Sequence, residues 1–300
     1  MKESTLGSLF VFAAAAGFGT IGIFGELAAA IGLELSTLLP ARFALATLVI
    51  VGLTLGRGWP LPSSRRAWAA TFLLGVVYTG MTLAFFVSLR YLTAGLATVV
   101  LYTYPAIVVV VSAIGMDESI TVRKVAALAL TTLGVALVVG GDGAGAAPIG
   151  VGLALCSALC YALYTAGSRA VSPGLEPSEL TVGVLVGTTV SMLAYGVLDG
   201  GLALPHGRAE WAIVLGIVVV STVVPHLLFY QGVARIEAGR VGVISTVEPV
   251  VTVVLGVLLL GEVVTLTAAL GGGLVLAGVL VIQRRSGDTE TAQSRSFVSD

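Results

Sequence analysis

AGLATVVLYTYPAIVVVVSAIGMDESITVRKVAALALTTLGVALV, residues 94–138, lies over AGRVGVISTVEPVVTVVLGVLLLGEVVTLTAALGGGLVLAGVLVI, residues 238–282, when the chain is shifted by 144 positions. Eleven of the 45 positions are identical: Ala94, Gly95, Val99, Pro105, Val109, Val110, Glu118, Thr121, Leu130, Gly134 and Val135. Val and Leu matches come easily in so apolar a sequence, whereas the Ala-Gly, Pro and Glu matches do not. The chain therefore carries an internal repeat.

The solvent follows from composition. Of 300 residues, 57% are hydrophobic and 10% charged, with a mean hydropathy of +1.06. A soluble domain carries about 25% charged residues, so this chain cannot cover a water-facing surface and belongs in a bilayer. The net charge of −1 leaves nothing for nucleic-acid phosphates, which need clustered Lys and Arg. Cys156 and Cys160 share one helix face and read as small packing or lipid-facing residues.

A helix needs about 20 apolar residues to cross the hydrocarbon. Ten such runs lie near 6–26, 36–56, 67–88, 93–114, 121–140, 149–169, 180–199, 211–231, 240–260 and 265–283. The first reads as a span rather than a cleaved leader. Ten spans put both termini on one side. That side collects twelve Lys and Arg residues and the other two, Arg90 and Arg208, with Arg42 inside a span. Positive residues stay inside, so both termini are cytoplasmic.

The organisation is a first five-helix repeat over 1–141, a connector over 142–148, a second repeat over 149–285 and a disordered tail over 286–300. Five is odd, so the second repeat enters the membrane from the opposite side. Inverted repeats let two halves exchange inward- and outward-open states around a midplane site. The fold class is thus all-α integral membrane, with ten transmembrane helices in two inverted five-helix repeats.

Three segments carry a family likeness: Tyr102-Thr-Tyr-Pro105 after Ala94-Gly95; Glu248-Pro249 with the apolar run to Gly261-Glu262; and Gly271-Gly-Gly-Leu-Val-Leu-Ala-Gly278. With Arg42 in the second span and the duplication, the chain resembles the drug/metabolite transporter superfamily, specifically its EamA-type ten-helix permeases. Phe18-Gly19 stands where relatives often carry Trp-Gly. The resemblance implies a cavity built mainly by the first four spans of each half, with the fifth and tenth outside. It also implies export of amino acids or related compounds more often than uptake.

Polar groups inside a span are costly and are functional candidates by default. At about 1.5 Å per residue, Glu248 lies roughly 12 Å from the cytoplasmic boundary. Tyr102 and Tyr104 come to the same level from the external side, and the repeat pairs Tyr104 with Glu248. Each sits beside a mid-span proline, Pro105 or Pro249, which removes a backbone N–H and frees the carbonyl four residues back, Leu101 or Ser245. Interrupted helices at matching places point to a transport site; the alternative is that both prolines merely kink packed helices. Glu248 pairs with a cation, accepts a proton, binds a cationic substrate group or makes a structural hydrogen bond to a neighbouring helix; the proton is the leading choice of coupled ion. Arg42 reaches Glu248, binds a substrate carboxylate or snorkels outward. His226 reads as packing or relay, and Tyr78 and Tyr161 as pocket walls. Tyr230 and Gln231 equally suit interfacial anchors, and Trp59, Trp68 and Trp211 the interface belt. Glu118 and Glu262 are expected to cap the helices that follow them, with Thr121 and Thr265.

Gly17-Phe-Gly-Thr-Ile-Gly22 matches a dinucleotide-binding pattern, but it lies inside a span with no preceding strand and fails that context. Gly183 and Gly187 make a small-xxx-small step for close helix approach. No ATP-binding loop is present, and no cofactor is implied. The expectation is a plasma-membrane secondary-active or facilitative exporter of a small organic metabolite, a zwitterion, sugar or amine, and not an enzyme. The rivals are a membrane sensor that binds without moving its ligand, and an intramembrane enzyme, for which one mid-span carboxylate and one His are too thin a set. Small-residue faces serve contacts within and between chains alike and specify no oligomeric state.

Overall fold

The computed structural model describes residues 3–115, 121–140 and 147–296. Among these the chain is helical and contains no strand. That is the outcome lipid demands, because a helix satisfies its own backbone where no water can. Among the described residues nine helical stretches are long and apolar enough to cross a membrane: Glu3–Ala30, Leu35–Gly56, Arg65–Ser88, Ala94–Val111, Val122–Gly140, Pro148–Val171, Pro177–Leu198, Gly207–Val233 and Arg240–Leu260. A shorter apolar stretch, Leu266–Val281, opens the tenth helix, and these ten are the spans referred to below. The tenth helix continues to Ser296, so the backbone of 286–296 is helical where composition alone suggested disorder. Extending an existing helix avoids the cost of nucleation. The connector residues 142–146 and Glu118 lie outside the described residues.

The packing is symmetric. The third span lies on the sixth and seventh, and the eighth on the first and second; the second pairs with the seventh, the fourth with the ninth and the fifth with the tenth. This pattern maps onto itself when each span is exchanged for its counterpart five further on. Glycines make the close approaches possible, since helices in lipid associate through packing of small residues. A Cβ on Gly134 would stand 2.6 Å from the Gly271 carbonyl oxygen, and one on Gly271 equally 2.6 Å from that of Gly134. Gly183 receives Thr71, and a Cβ on Gly187 would meet the Phe72 carbonyl oxygen at 2.6 Å. The glycines of the rejected dinucleotide pattern do the same work: Gly17 lies against Pro225, Gly19 against the Glu248 carbonyl and Gly22 against Ala94.

Four spans are irregular. The fourth stops at Leu101 and resumes at Tyr104, with Pro105 second in the new segment. The ninth stops at Ser245 and resumes at Val247, with Pro249 third. The first breaks between Phe18 and Ile21 with no proline, a break that was not anticipated. The eighth contains a π-helical turn, Val219–Val223, just before Pro225, and the ninth ends in another, Gly256–Leu260.

Candidate functional site

These interruptions surround one cavity of about 310 Å³, within the range of small-molecule pockets, lined from the first, second, third, fourth, sixth, eighth and ninth spans. Among the described residues none of its lining comes from the fifth, seventh or tenth. Arg42, Tyr78, Tyr102, Tyr104, Tyr161, His226 and Glu248, candidates scattered over more than 200 positions of sequence, all face it.

The carboxylate centre lies at the helix breaks. The Tyr102 hydroxyl is 2.8 Å from the Ser245 carbonyl oxygen and 2.8 Å from Glu248 Oε2. The Ser245 carbonyl is the one Pro249 leaves without its helical donor, so a side chain of the first repeat fills a gap in the second. A phenol has one proton. When Glu248 is ionised, that proton serves either the carboxylate or the carbonyl. When Glu248 is neutral, it donates to Tyr102, Tyr102 donates to Ser245, and every group is satisfied.

The cationic centre is Arg42. Its residue is 2% exposed, so it does not snorkel. Its Nε donates to Thr222 Oγ1 at 3.0 Å, and its guanidinium stands 4.9 Å from the Phe43 ring centroid and 5.9 Å from that of Phe86. Arg42 and Glu248 form no ion pair within 4.0 Å. The cavity therefore presents a guanidinium and a carboxyl group with no direct ion pair between them. Thr222 passes its own proton to the Ile217 carbonyl at 2.9 Å, a bond the π-helical turn makes possible. The Thr222 carbonyl, 2.6 Å from His226 Nδ1, can only accept, so Nδ1 carries the proton. His226 also stands edge-on to Phe18, with 5.0 Å between ring centroids.

One wall is tyrosine. Tyr102 and Tyr104 lie 5.9 Å apart by centroid, Tyr104 and Tyr161 4.2 Å, Tyr161 and Tyr164 6.2 Å, and Tyr164 and Tyr78 5.1 Å. Such walls pair an apolar face with hydroxyl partners. Tyr164 and Tyr230, neither among the residues nominated for the site, also line the cavity. Thr222 was missed, because a threonine in an apolar span carries no signal until a partner on another helix is known.

The two sides of the membrane differ. Externally, the outer halves of the first, fourth and ninth spans pack on one another, and a Cβ on Gly22 would stand 3.0 Å from that of Ala94. On the cytoplasmic side, the inner half of the fourth span packs on the sixth and that of the ninth on the first and tenth. Among the described residues those two inner halves form no comparable contact with each other. The lining reaches Tyr164, Tyr230 and Ser245 on that side, so the cavity faces the cytoplasm.

One expected cap is placed differently. Thr265 caps the tenth helix, its Oγ1 accepting from Ala268 N at 3.2 Å, and Thr121 Oγ1 accepts from Lys124 N at 3.4 Å. Glu262, however, reaches away from the helix that follows it to the start of the fourth span, in the other repeat: its Oε1 accepts from Ala94 N at 2.9 Å and its Oε2 from Gly95 N at 3.3 Å.

The sequence model described as the EamA-like transporter family matches residues 5–140 and 148–284. An uncharacterized transporter of Archaeoglobus fulgidus is 29% identical over 214 residues, 71% of this chain and 76% of the relative. The threonine/homoserine exporter RhtA of Escherichia coli strain K12 is 25% identical over 262 residues, 86% of this chain and 83% of the relative. A crystal structure of a protein 21% identical in sequence shares the fold, with a TM-score of 0.66 over 95% of this chain and 98% of that one.

Proposed function

The chain belongs to the EamA-like transporter family, and on that premise we propose that it is a proton-coupled secondary exporter of a small zwitterionic metabolite such as an amino acid, working by alternating access. It is a multi-pass membrane transporter, not an enzyme. The amino-acid reading is supported by the relative named as a threonine/homoserine exporter and by the two opposite, mutually unpaired charges of the cavity. A buried charge without a partner is costly, and a zwitterion supplies both partners at once: its carboxylate to Arg42, its ammonium to Glu248. The tyrosine wall receives the remainder of the substrate.

The observation that carries the coupling is the single Tyr102 hydroxyl within 2.8 Å of both Ser245 O and Glu248 Oε2. Proton and ammonium compete for Glu248. With the proton bound, the Tyr102 network is complete and the empty carrier is at ease in the membrane. With the ammonium bound, the substrate replaces the proton as the neutralising partner. A carrier that returns with one and leaves with the other is an antiporter, with protons entering as substrate leaves. Both steps use the cavity in its two orientations, which the inverted repeat provides.

The test is accumulation in proteoliposomes under an imposed pH gradient, with threonine, homoserine and a panel of other amino acids as tracers. Gradient-driven movement establishes coupling. Counterflow without any response to pH makes the protein a facilitator in which Glu248 binds substrate alone. Binding without counterflow makes it a sensor.

A further inference from the structure

We propose that Glu262 is the external latch of the transport cycle: its carboxylate holds the outer end of the fourth span against the ninth-to-tenth turn and must let go for the cavity to open outward. The inference rests on the alternating-access reading but concerns a residue away from the cavity, since Glu262 is not among the cavity-lining residues.

The first observation is the bond itself. Ala94 N and Gly95 N are the first free donors of the helix Ala94–Leu101, and both go to Glu262. A helix start can be capped locally, and this one is: Thr93 Oγ1 accepts from Leu96 N at 3.3 Å. The Glu262 bonds are additional and tie one repeat to the other. A carboxylate also suits the positive end of a helix.

The second observation is that the seat is shaped for a carboxylate. Gly261, at φ +68°, turns the chain back after the π-helical end of the ninth span, in the left-handed region that glycine tolerates. Glu262 N then donates to the Gly256 carbonyl at 3.0 Å, anchoring the turn. A Cβ at Gly256 would collide with the Glu262 carboxylate, and one on Gly95 would stand 3.1 Å from Oε2 and 3.1 Å from Val253 Cγ2. Two glycines on two spans thus leave the room the carboxylate occupies.

The third observation is position. The latch lies on the closed, external side of a cavity that faces the cytoplasm, where the outer halves of the first, fourth and ninth spans meet. Beside it an apolar groove of about 280 Å³ runs between the fourth, ninth and tenth spans. Ala94, Gly95 and Glu262 are also among the positions the repeat preserves, as Ala238, Gly239 and Glu118. Glu118 lies outside the described residues, and the proposal stands on Glu262.

The test reads opening directly and needs no substrate. Thr98 lines the external end of the cavity and is 3% exposed. A Thr98→Cys reporter, in a background with Cys156→Ser and Cys160→Ser, is labelled on intact cells with a membrane-impermeant maleimide. Glu262→Gln puts a donor where an acceptor is needed, and Gly95→Ala crowds the carboxylate, together with Val253 of the ninth span, without changing charge. Either change is expected to speed labelling about tenfold or more, the effect of losing a charge-assisted bond. Labelling at the parent rate in both variants, each confirmed monodisperse in detergent, overturns the latch. A reporter that never reacts from outside in any form refutes alternating access, and the latch with it.

Discussion

Replacing Glu248 with Gln is the sharpest perturbation the structure offers, because the amide copies the neutral acid. Its Nε2 can donate to the Tyr102 hydroxyl oxygen as a protonated carboxyl would, leaving Tyr102 free to donate to the Ser245 carbonyl. No polar group is orphaned, so the variant is expected to fold and purify like the parent. What it cannot do is release a proton or pair with an ammonium. Losing a hydrogen bond to a charged partner costs about 1.5–3 kcal/mol, which at about 1.4 kcal/mol per decade is roughly ten- to a hundredfold in substrate affinity. Tyr102→Phe is the companion: it strips the partner from both acceptors but leaves the carboxyl able to titrate. Glu248 is partly exposed to the cavity, so water can replace the phenol, and the expected loss is about tenfold in affinity with the pH response retained. The assay is tracer accumulation in proteoliposomes with and without a pH gradient, beside counterflow at equal pH. Glu248→Gln should lose all gradient-driven movement; Tyr102→Phe should keep it at reduced affinity. A Glu248→Gln protein that accumulates tracer with the parent's pH dependence would remove Glu248 from coupling and refute the argument from the shared hydroxyl.

Other consequences follow from single contacts. Arg42→Ala should raise KM for a carboxylate-bearing substrate by about tenfold or more, while Thr222→Val, which keeps the charge but removes its 3.0 Å anchor, should give a smaller rise; equal KM in all three proteins would show that Arg42 does not meet substrate. Tyr161→Phe should transport normally, and Tyr161→Ala should bind severalfold more weakly, since it removes the ring 4.2 Å from Tyr104 and an aromatic contact worth about 0.5–1.5 kcal/mol; flux assays over a concentration series separate the two. Gly134→Val should destabilise the fold by about 1–3 kcal/mol through overpacking, because its Cβ lands 2.6 Å from the Gly271 carbonyl oxygen, and a thermal-shift measurement in detergent that matched the parent would contradict the packing of the fifth span on the tenth.

The sequence by itself determined the solvent, the secondary structure, the number of spans, their orientation and the duplication. Each is a one-dimensional property: hydropathy over about 20 residues, the side on which Arg and Lys collect, a shift of 144 that returns Ala-Gly, Pro and Glu. It also nominated the residues of the cavity, because a polar side chain in an apolar run is conspicuous without knowledge of its neighbours. One reading and one omission show what the fold had to supply. Glu262 looked like a cap for the helix that follows, since sequence offers only local partners; its donors lie 167 and 168 residues away. The break in the first span between Phe18 and Ile21 carries no proline, and glycines in an apolar run announce close packing and broken helices alike.

Tertiary structure alone decided which groups face each other. That Tyr102 closes the gap left by Pro249 rather than one in its own helix, that Arg42 is held by Thr222 and stays apart from Glu248, and that the cavity is shut outside and open inside are relations between spans. Lipid is as apolar as the side chains that face it, so hydropathy places a helix across the membrane but says nothing about its rotation or its neighbours. Those are fixed by glycine contacts and a few inter-span hydrogen bonds, which become visible only when the helices are assembled.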